Sequence, residues 1–122
     1  MRTDEKDSPA YQNSLTFAVR IVKLCEYLVE AKKEYVLSKQ LLRSGTSIGA
    51  NIREAKFAQS RKDFISKCSI ALKEAGETQY WLELLCRAEI LSQKEYESIS
   101  SDCNELVAML VSTVKTSKSQ PQ

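Results

Sequence analysis

The side chains that could do chemistry are few in kind. The 122-residue chain has no histidine, which removes Ser-His and Cys-His nucleophiles, an imidazole general base and every imidazole metal site. Its four thiols, Cys25, Cys68, Cys86 and Cys103, stand 43, 18 and 17 residues apart. Without a Cys-x-x-Cys pair, neither a zinc site nor a redox dithiol is expected. All four fall on apolar helical stripes, where a reduced thiol acts as a small hydrophobe. Core cysteines in a reducing cytoplasm are the expectation.

Carboxylates are plentiful in the second half, with Glu74 and Glu77 three apart, Asp102 and Glu105 likewise, and Glu83 and Glu89 nearby. A di-metal carboxylate bundle needs Glu-x-x-His motifs, so these read as solvated faces. Neither a Walker pattern nor Gly-x-Gly-x-x-Gly is present, and Ser44, Ser47 and Ser60 have no base at motif spacing. No enzyme activity, cofactor or metal is expected. Asn51 and Glu54 read as structural polar residues, satisfying groups around Gly45 and Gly49.

Charge offers more. The net charge is +2, but residues 36–73 hold eight basic and two acidic groups, whereas residues 74–106 hold eight acidic and two basic. Lys39, Arg43, Arg53, Lys56, Arg61, Lys62 and Lys67 make the basic segment a candidate for binding RNA or DNA backbone. The same segregation would also arise if adjacent helices merely paired their charges. Tyr80 and Trp81 could stack on bases, but they lie outside the basic segment and fit a protein interface better.

The elements that carry these residues are helical. Three Gly and two Pro leave little room for the turns of a β-fold. No run of 18 apolar residues occurs, so no membrane span is expected, and the polar, acidic start Met1–Asp7 does not read as a signal peptide. Residues 1–13 read as a flexible lead-in, 14–116 as a four-helix bundle and 117–122 as a flexible tail. The first helix, Ser14 to Lys33, has a main stripe of Leu15, Ala18, Val22, Cys25 and Val29 for the core. A second stripe, Phe17, Ile21, Leu24 and Leu28, is left over.

The second helix, about Val36 to Ala58, carries Leu37, Leu41, Ile48, Ile52 and Ala55. Gly45 and Gly49 either kink it or admit a neighbouring backbone. The third starts at a capping Ser60 and carries Phe64, Ile65, Cys68, Ala71, Leu72, Ala75, Leu82 and Cys86. Ile70, Trp81, Leu84 and Ala88 lie nearly opposite. The fourth opens on a capping box, Ser92 to Glu95, with Leu91 as a staple, and carries Tyr96, Ile99, Cys103, Leu106, Val107, Leu110 and Val114. Short connections make this an all-α, up-down-up-down bundle. The surplus faces, Phe17/Ile21/Leu24/Leu28 and Ile70/Trp81/Leu84/Ala88, are expected between subunits of a homo-oligomer.

Several blocks resemble one family. Leu41-Leu42-Arg43-Ser44-Gly45-Thr46-Ser47-Ile48-Gly49-Ala50-Asn51-Ile52-Arg53-Glu54-Ala55 is similar to the signature of bacterial four-helix proteins encoded in intervening sequences of 23S ribosomal RNA genes. Ser60-x-x-Asp63-Phe64-Ile65, the stretch Ile70 to Gln79, and Leu91-Ser92-x-x-Glu95-Tyr96 continue it. The signature commonly has Pro where Gly49 stands and Gly where Ala55 stands. The resemblance implies a cyclic homo-oligomer, typically a pentamer. Through a related branch of retroelement accessory proteins, it also implies nucleic acid or a reverse transcriptase as partner. The sequence reading is a non-enzymatic, cytoplasmic, nucleic-acid-associated oligomer. A protein-interaction scaffold is the alternative.

Overall fold

A computed structural model describes residues 7–120 as four helices: α1 (Pro9–Lys32), α2 (Leu37–Lys56), α3 (Arg61–Arg87) and α4 (Gln93–Ser119). Residues 1–6, and with them most of the stretch read as no signal peptide, lie outside the described residues. Among the described residues no helix is long and apolar enough to cross a membrane.

Each helix begins where local hydrogen bonding can absorb its first N–H groups. The Ser8 hydroxyl accepts from Tyr11 N at 3.1 Å, with Pro9 in the first turn, where its missing N–H is harmless. Helix α1 therefore starts five residues before the expected Ser14, and residues 9–13 are helix rather than lead-in. Ser60 caps α3 through Asp63 N at 3.0 Å. At α4 the capping box is complete, with Glu95 N to Ser92 Oγ at 3.1 Å and Ser92 N to Glu95 Oε1 at 2.9 Å. The last helix runs to Ser119, so residues 117–119 also belong to it rather than to a tail.

Helix α2 uses a cap its sequence does not advertise. Glu34, within the α1–α2 connection, accepts from the backbone N–H groups of Val36, Leu37 and Ser38. Desolvation alone would raise its pKa, but these three donors outweigh it and hold the carboxyl below its ordinary value.

The helices alternate in direction. Along α1 and α2, Cys25 meets Ser38 while Ser14 meets Gly49. Along α1 and α4, Asn13 meets Glu105 while Arg20 meets Asp102. Along α2 and α3, Arg43 meets Glu74 while Glu54 meets Lys67. Packing is closest between α2 and α3 and loosest between α1 and α4, and α1 and α3 face each other diagonally. The core joins Phe17, Ile21, Leu28, Leu41, Ile48, Leu82, Leu85, Leu106 and Leu110.

This core corrects the reading of α1. Phe17, Ile21 and Leu28 are fully buried within the chain and Leu24 packs partly against them, so the supposed subunit stripe is the core face. Of the stripe expected inside, Cys25 is buried, whereas Leu15, Val22 and Val29 are exposed. A steric match selects the face. Helix α2 runs through Gly45 and Gly49 without a break, and a Cβ at Gly45 would sit 2.9 Å from Ile21 Cγ1 and Cγ2. One at Gly49 would sit 2.9 Å from Ser14 Oγ. The glycines are the sockets for α1.

On α3 the buried positions are Cys68, Ala71, Ala75, Thr78, Leu82 and Leu85, a seam of alternating three- and four-residue steps. Thr78 and Leu85 escaped the sequence reading because a polar residue interrupts the apolar pattern at position 78. The Thr78 hydroxyl lies 2.9 Å from that of Ser44 and 2.8 Å from the Glu74 carbonyl, which satisfies it inside. Cys86, expected in the core, is only half-buried and faces Gln93 Oε1 at 3.4 Å.

The thiols consequently differ. Burial pushes Cys25 up to about 11 and Cys103 to about 12, and raises Cys68 as well. In the folded state, a thiol reagent at neutral pH should label Cys86 well ahead of the other three. Mass spectrometry of the labelled peptides checks this, and equal labelling of all four would contradict the packing.

Candidate polyanion-binding face

The expected basic surface is divided. Lys39 is exposed near the start of α2. Arg43 is held on the α2–α3 seam by Glu74 and Glu77 and reaches Gln40 as well. Lys67 pairs across the same seam with Glu54 at 2.9 Å. Arg43 and Lys67 do not stand free of carboxylate partners. Neither does Glu54 serve the glycines as expected, although Asn51 does bond back to the Ser47 carbonyl at 2.9 Å.

The remaining cations gather at the end of the bundle where α2 turns into α3. Arg53 and Lys56 occupy the last turn of α2, and Arg61 and Lys62 the first turn of α3. Helix α4 finishes beside them. Val114 packs with Ala55 and Cys68, and Arg61 Nη1 donates to the Gln120 carbonyl at 2.6 Å. Lys115 and Lys118 thereby join the same end. Between the two basic pairs stands Phe57, 70% exposed. Its backbone N–H is tied to Glu54 and Ala55, so the ring is presented from a fixed turn. The turn has a negative φ at Phe57 and needs no glycine, so Ala55 in place of the signature's Gly brings no strain.

Two of these cations are anchored by Asp7, just ahead of α1, and by Tyr11 in its first turn. Asp7 Oδ1 lies 2.9 Å from Lys56 Nζ and 3.4 Å from Arg53 Nη1. The Lys56 bond holds the Asp7 carboxyl below its ordinary value against desolvation, with lesser help from the Arg53 and Lys56 charges. The Arg53 guanidinium also lies over the Tyr11 ring, 4.2 Å from its centroid. Asp7 and Tyr11 were invisible as site residues because only tertiary packing brings them to α2. Phe57 carried a signal as one of two aromatic residues, with Phe64, inside the basic segment.

The apolar flanks lie elsewhere. Leu15 and Val19 are just over half exposed on α1, and Val22 and Val29 continue the line. On α3, Ile70 and Ala88 are exposed, whereas Trp81 and Leu84 are half-buried. Trp81 donates its indole N–H to Glu77 at 3.0 Å. Among the described residues no cluster of three acidic or thiol side chains is placed to hold a metal.

The 23S rRNA-intervening sequence protein family matches residues 6–112. The chain belongs to that family. A crystal structure from Bacteroides thetaiotaomicron, described as a protein of unknown function from the S23 ribosomal protein family, is 60% identical to it. The match covers 87% of this chain and 98% of that one, with a TM-score of 0.86. No curated protein matches. At this identity and TM-score the two chains share one fold.

Proposed function

We propose that the protein is a non-enzymatic, homo-oligomeric nucleic-acid-associated protein. In this reading it contacts RNA or DNA backbone through the α2–α3 end of the bundle. The observation that carries the reading is the convergence there of Arg53, Lys56, Arg61, Lys62, Lys115 and Lys118 from three helix ends around an exposed Phe57. Several lysines and arginines on one small face give phosphate contacts, and an unburied ring among them suits a splayed base. Assembly multiplies weak contacts through effective concentration.

Support for assembly comes from the apolar flanks of α1 and α3, which lie on opposite sides of the bundle and are unlike each other. Unlike patches pair head to tail, and such contacts close into rings when the rotation allows. The pentamer implied by the family resemblance is one such ring. The same flanks favour the alternative, a scaffold whose partner is another polypeptide such as a reverse transcriptase.

Filter binding of a single-stranded RNA at low salt tests the reading. The unmodified protein should bind with an affinity that falls steeply as salt rises. Arg61→Glu with Lys62→Glu should weaken binding at least tenfold, whereas Lys94→Glu on α4 should leave it unchanged. Light scattering should give the same oligomer for all three. Absence of RNA retention in an intact oligomer would leave the scaffold, and a stable monomer would remove the assembly.

A further inference from the structure

A groove of about 750 Å³ opens at the same end of the bundle, where the first turn of α1 meets α2, α3 and the second half of α4. Its floor is apolar, with Ile52, Ala55, Phe64, Met109 and Leu110 among the lining, and Ala108 stands on its wall. Its charged groups are Arg53, Lys56 and Asp7, and Ser8, Tyr11, Ser112 and Thr113 add neutral polar ones. A concave apolar space of a few hundred cubic ångströms with a small set of convergent charges is the usual form of a small-molecule site.

The charges define the ligand. Arg53 and Lys56 converge on one carboxylate, that of Asp7, and Arg53 is steadied by the Tyr11 ring beneath it. The seat is thus already sized for a carboxylate, supplied here by the chain itself. Asp7 brings no apolar chain to the groove beside it, and a ligand with both parts would use both features.

We propose that this groove binds an alkyl carboxylate of medium chain length. Its carboxylate would take the place of Asp7 against Arg53 and Lys56, with its hydrocarbon along Ile52, Phe64 and Met109. Asp7 is then an internal competitor that keeps the seat closed to weak anions. This site shares Arg53 and Lys56 with the polyanion face but not Arg61 and Lys62, so a variant of the latter pair separates the two readings.

Calorimetric titration with dodecanoate, kept below its micelle-forming concentration, is the test, with NMR shift mapping to locate the ligand. The unmodified protein should bind dodecanoate and fail to bind dodecyltrimethylammonium. Arg53→Gln with Lys56→Gln should weaken binding at least tenfold, and Asp7→Ala should tighten it severalfold. Ala108→Trp, which fills the groove without altering charge, should abolish binding, and Arg61→Glu with Lys62→Glu should not change it. Far-ultraviolet circular dichroism checks that each variant is folded. Equal affinity for the cationic surfactant, shifts mapping to the exposed α1 stripe, or binding only to anionic phospholipid vesicles would each overturn the proposal.

Discussion

Gly45→Val should destabilise the protein by about 3 kcal/mol, and Gly76→Ala should stabilise it by about 0.5–1 kcal/mol. Helix propensity alone predicts that replacing either glycine with alanine helps, since both lie inside helices. The surroundings separate them. A Cβ at Gly45 meets both γ-carbons of Ile21 at 2.9 Å, and that side chain is β-branched, stiff and fully buried. The overlap can be relieved only by separating α1 from α2 or by forcing Ile21 off its rotamer. A Cβ at Gly76 meets nothing within 4 Å. Urea unfolding of both variants at one protein concentration measures the two effects. Equal and positive changes would mean that α1 does not rest on Gly45.

Phe17→Ala should cost about 3–5 kcal/mol, whereas Val19→Ala, two residues away, should change stability by less than about 0.5 kcal/mol. Phe17 is 1% exposed and belongs to the central cluster, so its removal loses the transfer energy of the ring and leaves a cavity that packed neighbours cannot fill. Val19 is 53% exposed on the chain's outer side. Denaturant titration at low protein concentration, where assembly contributes least, gives the comparison. A large loss at Val19 with a small one at Phe17 would reverse the orientation of α1. It would also restore the subunit interface that its second stripe first suggested.

The pair also shows why one helix was misread while others were not. Helices α2 and α4 each carry one compact stripe: Leu41, Ile48, Ile52 and Ala55 on the former, with Leu37 partly buried, and Ile99, Cys103, Leu106, Leu110 and Val114 on the latter, with Tyr96 and Val107 partly buried. Both stripes are buried as the 3.6-residue period requires. Helix α1 is apolar around about half its circumference, and periodicity cannot rank two stripes of similar strength. The contest is decided by residues far away in the chain, Gly45 and Gly49, whose missing Cβ atoms leave room for Ile21 and Ser14.

What the sequence determined by itself is therefore what depends on near neighbours. The caps at Ser60 and Ser92 rest on bonds to residues three positions on, and they place the starts of α3 and α4. The four-helix count follows from the apolar period between such punctuation. The absence of histidine restricts the chemistry regardless of fold. The tertiary structure decided what depends on residues brought together from different helices. It placed Thr78 in the core because Ser44 is there to bond it. It gave Arg43 and Lys67 the carboxylates of Glu74, Glu77 and Glu54 as partners, and it brought Asp7 and Tyr11 onto Arg53. Charge and polarity along a chain specify what a side chain can bond. Only the packing of one helix against another specifies which partner is within the few ångströms over which such bonds act.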